Sequence, residues 1–226
     1  MDDRPISERE SLDLITSMIN KAKNSYHDTG LSAMMWGAVV AFCSLARFCE
    51  IVFEFKLPFD IYLLTLAAII PQIFITIREK KRRSVKSYDD EYMDYIWLGF
   101  GVSIMLLIFV LNMMAASWQP VAEEYFRVSG QESRFQLYEY VGPLFLILYG
   151  IPTFVTGTAC KFKPMLWGGL ICWACCIIAT FTQARIDLLL VAFSALVAWF
   201  IPGIIMMKDY KKAKLGLARR QETTHV

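Results

Sequence analysis

Histidine and charged residues are scarce in this sequence. Of its 226 residues only His27 and His225 are histidines, and Asp, Glu, Lys and Arg together account for 19%. Paired histidine ligation of a haem within a helical bundle is therefore excluded, as is a zinc-binding His-Glu-x-x-His helix. A Gly-x-Ser-x-Gly nucleophile turn and a glycine-rich phosphate-binding loop are also missing from the sequence. We accordingly predict no enzymatic activity, no catalytic residue, and no metal or other cofactor.

Long apolar runs dominate the sequence instead. Hydrophobic residues make up 56% of the chain, and they occur in runs of about twenty, the length of helix that crosses a hydrocarbon core of roughly 30 Å. No signal-peptide cleavage pattern precedes the first run, so we expect that run to be retained. The predicted fold class is all-α, a polytopic membrane protein whose six-span bundle covers residues 31–207. Its six transmembrane helices are predicted at residues 31–53, 57–77, 95–117, 138–160, 164–184 and 186–207.

Positive charge is divided unevenly between the loops that join these runs. Lysine and arginine flanks are retained in the cytoplasm during membrane insertion. The loops on one side, together with both termini, contain most of the 23 Lys and Arg residues. We therefore predict that both termini are cytoplasmic, and that residues 208–226 form a basic cytoplasmic tail. The basic residues on the other side are Arg47, Lys56, Arg127, Arg134 and Arg185.

A pattern of tryptophan and proline occurs three times. The first run of each successive pair has a Trp near its start, and the second run has an Ile-Pro dipeptide in its inner third. We interpret the pattern as three helical hairpins. Proline inside a helix removes a backbone hydrogen bond and kinks it, so the three prolines are either hinges or static packing kinks. The Trp and Pro residues of the three pairs are Trp36 and Pro71, Trp97 and Pro152, and Trp167 and Pro202.

Three cysteines lie close together in the fifth run, at Cys172, Cys175 and Cys176. A metal or redox site is one interpretation, but burial in apolar surroundings disfavours the thiolate that such chemistry needs. Gly168, Cys172, Cys176 and Thr180 recur every four residues, and small residues at this spacing let helices approach closely in lipid. We therefore predict that these four residues form a helix-packing face.

Ionisable residues within membrane spans often mark transport paths. Those of the first, second and fourth runs lie near the predicted outer ends of the runs. Arg47 and Glu50 are three residues apart, the spacing at which side chains pair on a helix, and we predict an interfacial ion pair there. A charged relay across the membrane is not expected, whereas a path for a neutral solute stays open.

Residues 1–30 have the pattern of an amphipathic cytoplasmic helix. Ser7 and Glu10 have the spacing of a capping box, and apolar residues follow at steps of three and four. Such a helix could lie on lipid headgroups, pack against the charged inner loop, or bind a cytoplasmic protein. The residues that we predict to contact a protein partner are Leu12, Ile15 and Ile19.

Several stretches carry a family resemblance: "ESLDLITSMINKAKNSY" before "MMWGAVV", then "KFKPMLWGGLICW", and finally "FIPGIIMMK" with its basic tail. Together they resemble an uncharacterised family of small multi-span inner-membrane proteins of Bacteroidetes, and the resemblance covers nearly the whole chain. It implies a bacterial inner-membrane location and no particular activity.

Two functions are open at this point. One is a non-catalytic sensor or scaffold that meets a cytoplasmic partner through the N-terminal helix. The other is a small-solute transporter whose hairpins move about Pro71, Pro152 and Pro202. The partners we expect are the lipid bilayer, a cytoplasmic protein and, through small-residue faces, a second copy of the chain in a homo-oligomer. No nucleic-acid partner is expected.

Overall fold

A computed structural model describes residues 29–82, 88–131 and 136–224. Within these ranges the regular structure is entirely helical, without any strand, so the predicted all-α class is confirmed. The N-terminal helix predicted at residues 1–30, with Leu12, Ile15 and Ile19, lies outside the described residues except at its end. The helices are α1 (Leu31–Val52), α2 (Leu63–Ala67), α3 (Ile69–Arg82), α4 (Tyr88–Ser129), α5 (Val141–Ala159), α6 (Lys163–Ala179), α7 (Ala184–Ala195) and α8 (Ile201–Thr224).

Two further helical segments adjoin these helices. A 3₁₀-helix, Leu137–Tyr140, leads into α5, and a π-helix, Leu196–Phe200, joins α7 to α8 without a break. The predicted sixth run is therefore one continuous helical rod of three segments. A π-helix adds a residue to the turn and is rare, and it occurs frequently at functional sites.

Four stretches in the described part of the chain are long and apolar enough to cross a membrane. They are Leu31–Val52, Tyr92–Ser129, Leu137–Ala159 and Ala184–Lys212, and the apolar helix α6 is shorter, at 17 residues. The predicted second run is divided between α2 and α3 by an interruption at Ala68. The lengths and composition of these helices indicate a membrane protein.

The centre of the fold is formed by α1, α5, α6 and the rod from α7 to α8. Helices α5 and α6 make the most extensive contact, and α1 packs along α7, the π-helix and α8. Gly168 of α6 allows one of the closest approaches, because a Cβ atom at this position would lie 2.6 Å from the Cα of Ala198 in the π-helix. The short helix α2 and helices α3 and α4 lie at the periphery, where they make fewer contacts.

Helix α4 differs from its predicted boundaries. The apolar run predicts a span of 95–117, and the sequence leaves open whether the segment of 117–137 that follows it is folded; in the structure α4 continues without interruption through Pro120 to Ser129. The extension is rich in good helix formers, including Glu123 and Glu124. Arg127 also pairs with Glu124 one turn away, with Nη2 and Oε1 2.6 Å apart. Local helix propensity therefore extends α4 beyond its apolar run.

Candidate functional site

Two of the three predicted hinge prolines lie beside an irregularity in their helices, and the third lies within a continuous helix. Pro71 follows the interruption at Ala68 that separates α2 from α3. Pro152 lies inside α5, and Pro202 is the second residue of α8, directly after the π-helix. Proline leaves the carbonyl four residues earlier without its usual amide partner; at Pro71 and Pro202 that carbonyl lies at or next to the irregular segment. Movement at these positions stays a prediction.

A buried hydrogen bond connects the last two of these proline sites. The indole Nε1 of Trp199, in the π-helix, donates to the hydroxyl of Thr153 at 2.8 Å. That hydroxyl in turn donates to the backbone carbonyl oxygen of Tyr149 at 2.7 Å. Thr153 immediately follows Pro152, and Trp199 lies three residues before Pro202. Both side chains are buried, so the bond is shielded from water and from lipid.

Aromatic rings surround this hydrogen bond. The rings of Tyr149 and Trp199 have centroids 4.7 Å apart, and Phe100 of α4 meets both of them edge-on, at 6.1 Å and 5.9 Å. Trp97 lies against Trp199 at 6.3 Å, and Phe145 lies 6.0 Å from Tyr149. Edge-to-face and tilted aromatic pairs each add roughly 0.5–1.5 kcal/mol beyond area burial. We call these five residues the aromatic cluster; it joins α4, α5 and the π-helix.

A second tryptophan makes an equivalent bond at the first proline site. Trp36 Nε1 of α1 donates to Gln72 Oε1 at 3.0 Å, and Gln72 directly follows Pro71. Gln72 also donates to Ser32 and Thr76, each at 3.1 Å. At two of the three Ile-Pro sites, therefore, the polar residue after proline accepts an indole N–H. Trp167, the tryptophan of the third predicted pair, is instead 61% exposed.

Comparison with known proteins gives no further guide to the site. No family model, curated protein or solved structure matches this chain. The chemistry of the site is therefore argued from its geometry alone.

The predicted packing face of α6 is in contact with its neighbours along three of its four positions. Gly168 faces the π-helix, Cys172 is fully buried, and Cys176 Sγ lies 3.4 Å from the carbonyl oxygen of Pro143 in α5. Thr180, at the end of α6, is exposed and donates to the carbonyl of Cys176 at 3.0 Å. Gly169, which the spacing did not single out, packs closely on Phe154 of α5.

The predicted pair of Arg47 and Glu50 lies at the end of α1. Arg47 Nη1 and Glu50 Oε2 are 2.9 Å apart. The second oxygen of Glu50 accepts the backbone N–H of Leu57 at 2.9 Å. Glu50 is buried although Arg47 is largely exposed. The carboxylate therefore fastens the chain that follows α1 in addition to pairing with arginine.

Sequence reasoning missed a buried carboxylate at Asp187. Thr182 donates its hydroxyl hydrogen to Asp187 Oδ1 at 2.6 Å, across the turn between α6 and α7. Asp187 is 2% exposed, and its Oδ2 is buried with no hydrogen-bond partner among the described residues. Gly142 of α5 leaves the space that the Asp187 side chain occupies. The acidic residue at the start of an otherwise apolar run was the signal that could have identified it.

These features hold helices in place and supply few reactive groups. The indole N–H of Trp199 and the hydroxyl of Thr153 beside the aromatic cluster are both used in hydrogen bonds to neighbouring residues. Groups of three or more His, Cys, Asp or Glu side chains that could hold a metal ion are not found where the structure is described. The arrangement is suited to fixing the relative position of α5 and the π-helix, with proline sites on both sides of the contact.

Proposed function

We propose that this chain is a six-span protein of a bacterial inner membrane, with three helical hairpins and both termini in the cytoplasm. Its first hairpin would consist of α1 and the α2–α3 pair. Trp36 contacts Gln72, and Thr29 donates its hydroxyl hydrogen to Glu79. Thr29 precedes Trp36 in the chain, whereas its partner Glu79 follows Gln72, the partner of Trp36. The two segments therefore run antiparallel, as a hairpin requires.

In the same proposal, α4 and α5 form the second hairpin. Helix α6 and the α7–α8 rod form the third. The most extensive contact lies between α5 and α6, which belong to neighbouring hairpins. Trp173 Nε1 donates to the carbonyl of Ile147 at 3.3 Å, and Cys176 meets the carbonyl of Pro143. The hairpins are therefore proposed as units of sequence repetition that pack into one bundle, and not as separate structural modules.

We further propose that the protein acts as a non-catalytic sensor or scaffold, and one observation carries this choice. The N-terminal segment joins the bundle at Gly30, which has a φ of 69° and packs against Gly203. A Cβ atom at Gly30 would collide with the carbonyl oxygen of Gly203, the residue directly after Pro202. Thr29, beside Gly30, is bonded to Glu79 of α3. Thr29 and Gly30, where the predicted N-terminal helix ends, thus contact α3 and the third proline site.

A mechanism follows from that attachment. A change of helix geometry at Pro202 would shift Gly203, and the shift would pass to Gly30 through backbone contact with no intervening flexible side chain. The amphipathic helix at residues 1–30 would then change its position or exposure at the cytoplasmic surface. Trp199 of the aromatic cluster lies in the same rod, and it would provide the membrane-embedded end of the coupling. A cytoplasmic protein bound at Leu12, Ile15 and Ile19 would receive the signal.

The first test is capture of the partner by the intact protein. The full-length chain is purified in mild detergent after crosslinking in cells, and co-purified soluble proteins are identified. We expect one soluble protein to be enriched, and to be lost when Leu12, Ile15 and Ile19 are changed to Asp. The matched control is Ser17→Asp with Asn20→Asp, which adds charge to the same segment away from those three residues. Equal capture by both variants contradicts the proposed binding face.

A transporter of a small neutral solute is the second candidate function, and two buried oxygens favour it. Thr156 Oγ1 and Asp187 Oδ2 are two of the four side-chain oxygens that are buried without a hydrogen-bond partner in the described ranges; the other two belong to Ser44 and Ser194. Unpaired polar atoms are costly in an apolar interior, and a path that admits a polar solute would satisfy them. Proteoliposomes tested with glycerol and urea distinguish the two functions. Flux above that of empty vesicles, reduced by Thr156→Val, supports transport.

A further inference from the structure

Asp187 is a buried carboxylate of which one oxygen has no partner. The residue is 2% exposed. Thr182 donates its hydroxyl hydrogen to Oδ1 at 2.6 Å and is the sole donor to this carboxylate among the described residues. Oδ2 is buried without a hydrogen-bond partner in the same ranges. A buried carboxylate either is paired with positive charge, or coordinates a metal ion, or takes up a proton. Oδ2 therefore needs a cation or a proton.

The hydrogen bond to Oδ1 favours the ionised form of Asp187. A hydroxyl that donates to a charged carboxylate lies about 2.5–2.7 Å from it, closer than in most neutral pairs. The 2.6 Å between Thr182 Oγ1 and Asp187 Oδ1 falls in that range. Asp187 also lies in the first turn of α7, where the helix dipole stabilises negative charge. An ionised Asp187 needs a cation at Oδ2.

No basic side chain of the described residues supplies that positive charge. Neither Asp187 nor Glu139, the nearest acidic residue of the preceding helical segment, forms an ion pair with lysine or arginine there. Arg185 is close in sequence, but side chains two residues apart on a helix do not face each other. Arg185 is also exposed, whereas Asp187 is buried. The charge must come from a bound ion.

Glu139 adds a second carboxylate beside the unpartnered oxygen. It belongs to the 3₁₀-helix that leads into α5, and Gly142 follows three residues later. Residues three apart at a 3₁₀ turn share a face. A Cβ atom at Gly142 would lie 3.0 Å from the Cβ and 3.8 Å from Oδ2 of Asp187. Oδ2 thus lies against the face that carries Glu139, and the two carboxylates interact electrostatically.

Two neighbouring carboxylates favour a divalent cation with oxygen ligands. Like charges at close range are unfavourable unless a cation neutralises them, and one divalent ion balances both. Calcium accepts six to eight oxygen ligands in irregular geometry, including waters, whereas magnesium requires a near-ideal octahedron. Glu139 and Thr182 are half-buried and Gln183 is exposed, so water reaches the rim of the site and can complete the coordination. Calcium fits this arrangement better than magnesium.

We propose that Asp187 and Glu139 bind one calcium ion, with Asp187 Oδ2 and the Glu139 carboxylate as its protein ligands and water in other positions. The ion fastens the start of α5 to the start of α7. Spacing along the sequence does not reveal the site, because its two carboxylates come from different helical segments. The site depends neither on the proposed membrane topology nor on the sensor function.

The effect of calcium on thermal stability gives the first test. The full-length protein in detergent is melted in excess EGTA and in millimolar CaCl₂ or MgCl₂. Calcium should raise the melting temperature by about 3–6 °C at roughly ten times its Kd, and magnesium by less than half as much. Asp187→Asn and Glu139→Gln should each abolish the rise, although in EGTA they should melt within a few degrees of the native chain. Glu123→Gln is the matched control, because Glu123 is exposed on α4, and it should keep the full rise.

Equilibrium dialysis with radioactive calcium measures binding directly. The native chain and Glu123→Gln should bind about one ion per chain, with a Kd of roughly 10⁻⁴–10⁻³ M, the range of extracellular calcium modules. Glu139→Gln should lower the affinity at least tenfold. Because Glu139 is half-buried, this variant keeps the test valid if Asp187→Asn does not fold.

Three results overturn the site. The first is a native chain that neither binds calcium nor melts at a higher temperature in its presence. The second is an equal calcium effect in Glu139→Gln and Glu123→Gln. The third is stabilisation on acidification in EGTA that Asp187→Asn abolishes, with no response to calcium, because Oδ2 then holds a proton. None of these results bears on capture of a cytoplasmic partner, so the two proposals fail separately.

Discussion

Trp199 and Thr153 are 46 residues apart in sequence, yet the indole N–H of the first donates to the hydroxyl of the second at 2.8 Å. Their backbones belong to the two helical rods in which Pro152 and Pro202 interrupt the regular hydrogen bonding. The bond therefore connects the neighbourhoods of two helix prolines through side chains that are both buried. In the proposed sensor function, a change of helix geometry at either proline would strain or break this contact.

Replacing the hydroxyl of Thr153 by a methyl group tests the contribution of this bond. Thr153→Val leaves the buried indole N–H without an acceptor, and we expect a loss of about 1–2 kcal/mol in unfolding free energy. Thr153→Ser keeps the hydroxyl and should lose much less. Thermal or SDS-induced unfolding in detergent micelles measures both. If the bond contributes to stability, the double variant with Trp199→Phe and Thr153→Val should be no less stable than Thr153→Val alone. If the losses in unfolding free energy of the two single variants add fully in the double variant, the bond does not contribute.

The close contact at Gly168 gives a second prediction. A Cβ atom there meets the Cα of Ala198 at 2.6 Å, whereas a Cβ atom at Gly101 in α4 has no neighbour within 4 Å. Gly168→Ala must push α6 away from the π-helix, at a cost of roughly 1–3 kcal/mol. Gly101→Ala should be neutral or stabilising by up to about 1 kcal/mol, because alanine favours the helix. The melting temperatures of the two variants measure this difference. Equal melting temperatures would contradict a close contact between Gly168 and Ala198.

Some elements of this fold follow directly from the sequence, and others depend on tertiary contacts. Helix α1 ends within one residue of its predicted run because the apolar segment is bounded by Gly30 on one side and by charged residues on the other. The helical extension of α4 beyond residue 117 could not be predicted from hydropathy, because it contains charged residues, Glu123, Glu124 and Arg127, and no continuous apolar run. An irregularity near Pro202 could be predicted, but the π-helix could not, because the missing N–H of proline does not determine which helix type precedes it.

The candidate site shows the same division. The positions of Arg47, Glu50, Gly168 and Cys172 could be inferred from spacing along one helix, since residues three and four apart share a face. The residues that these four side chains contact could not be inferred from spacing. Spacing does not reveal that Glu50 accepts the N–H of Leu57, nor that Gly168 meets the π-helix, because both contacts join segments that are distant along the chain or outside any repeat.

The carboxylate of Glu50 should be more important than its ion pair alone. It accepts the backbone N–H of Leu57 as well as pairing with Arg47, so Glu50→Ala removes both contacts. We expect a clear fall in melting temperature, and little change for Glu124→Ala, whose ion pair with Arg127 is exposed on both sides. Differential scanning fluorimetry of both variants at low and high salt measures this. Equal effects for the two alanine variants would contradict the double role.

The hydrogen bond between Thr182 and Asp187 predicts the relative stabilities of three variants. Asp187→Asn removes the charge and keeps an oxygen that can accept from Thr182, so stability should change little. Thr182→Val leaves the buried carboxylate without its hydroxyl donor, at a cost of about 1–3 kcal/mol. The double variant should recover part of that loss, because the unpaired charge is gone. Chemical unfolding in detergent measures the three values, and a double variant less stable than Thr182→Val would exclude this explanation.

In the proposed six-span arrangement the chain crosses the membrane an even number of times, with the α4 extension outside. Single cysteines introduced at Ser7, Gln131 and Thr223 are exposed to a membrane-impermeant maleimide on intact cells, with the native chain as the background. We predict labelling of Gln131→Cys on intact cells, and labelling of Ser7→Cys and Thr223→Cys only after the membrane is permeabilised. Labelling of either terminal position from outside, or protection of position 131, would contradict the six-span arrangement and the proposals that rest on it.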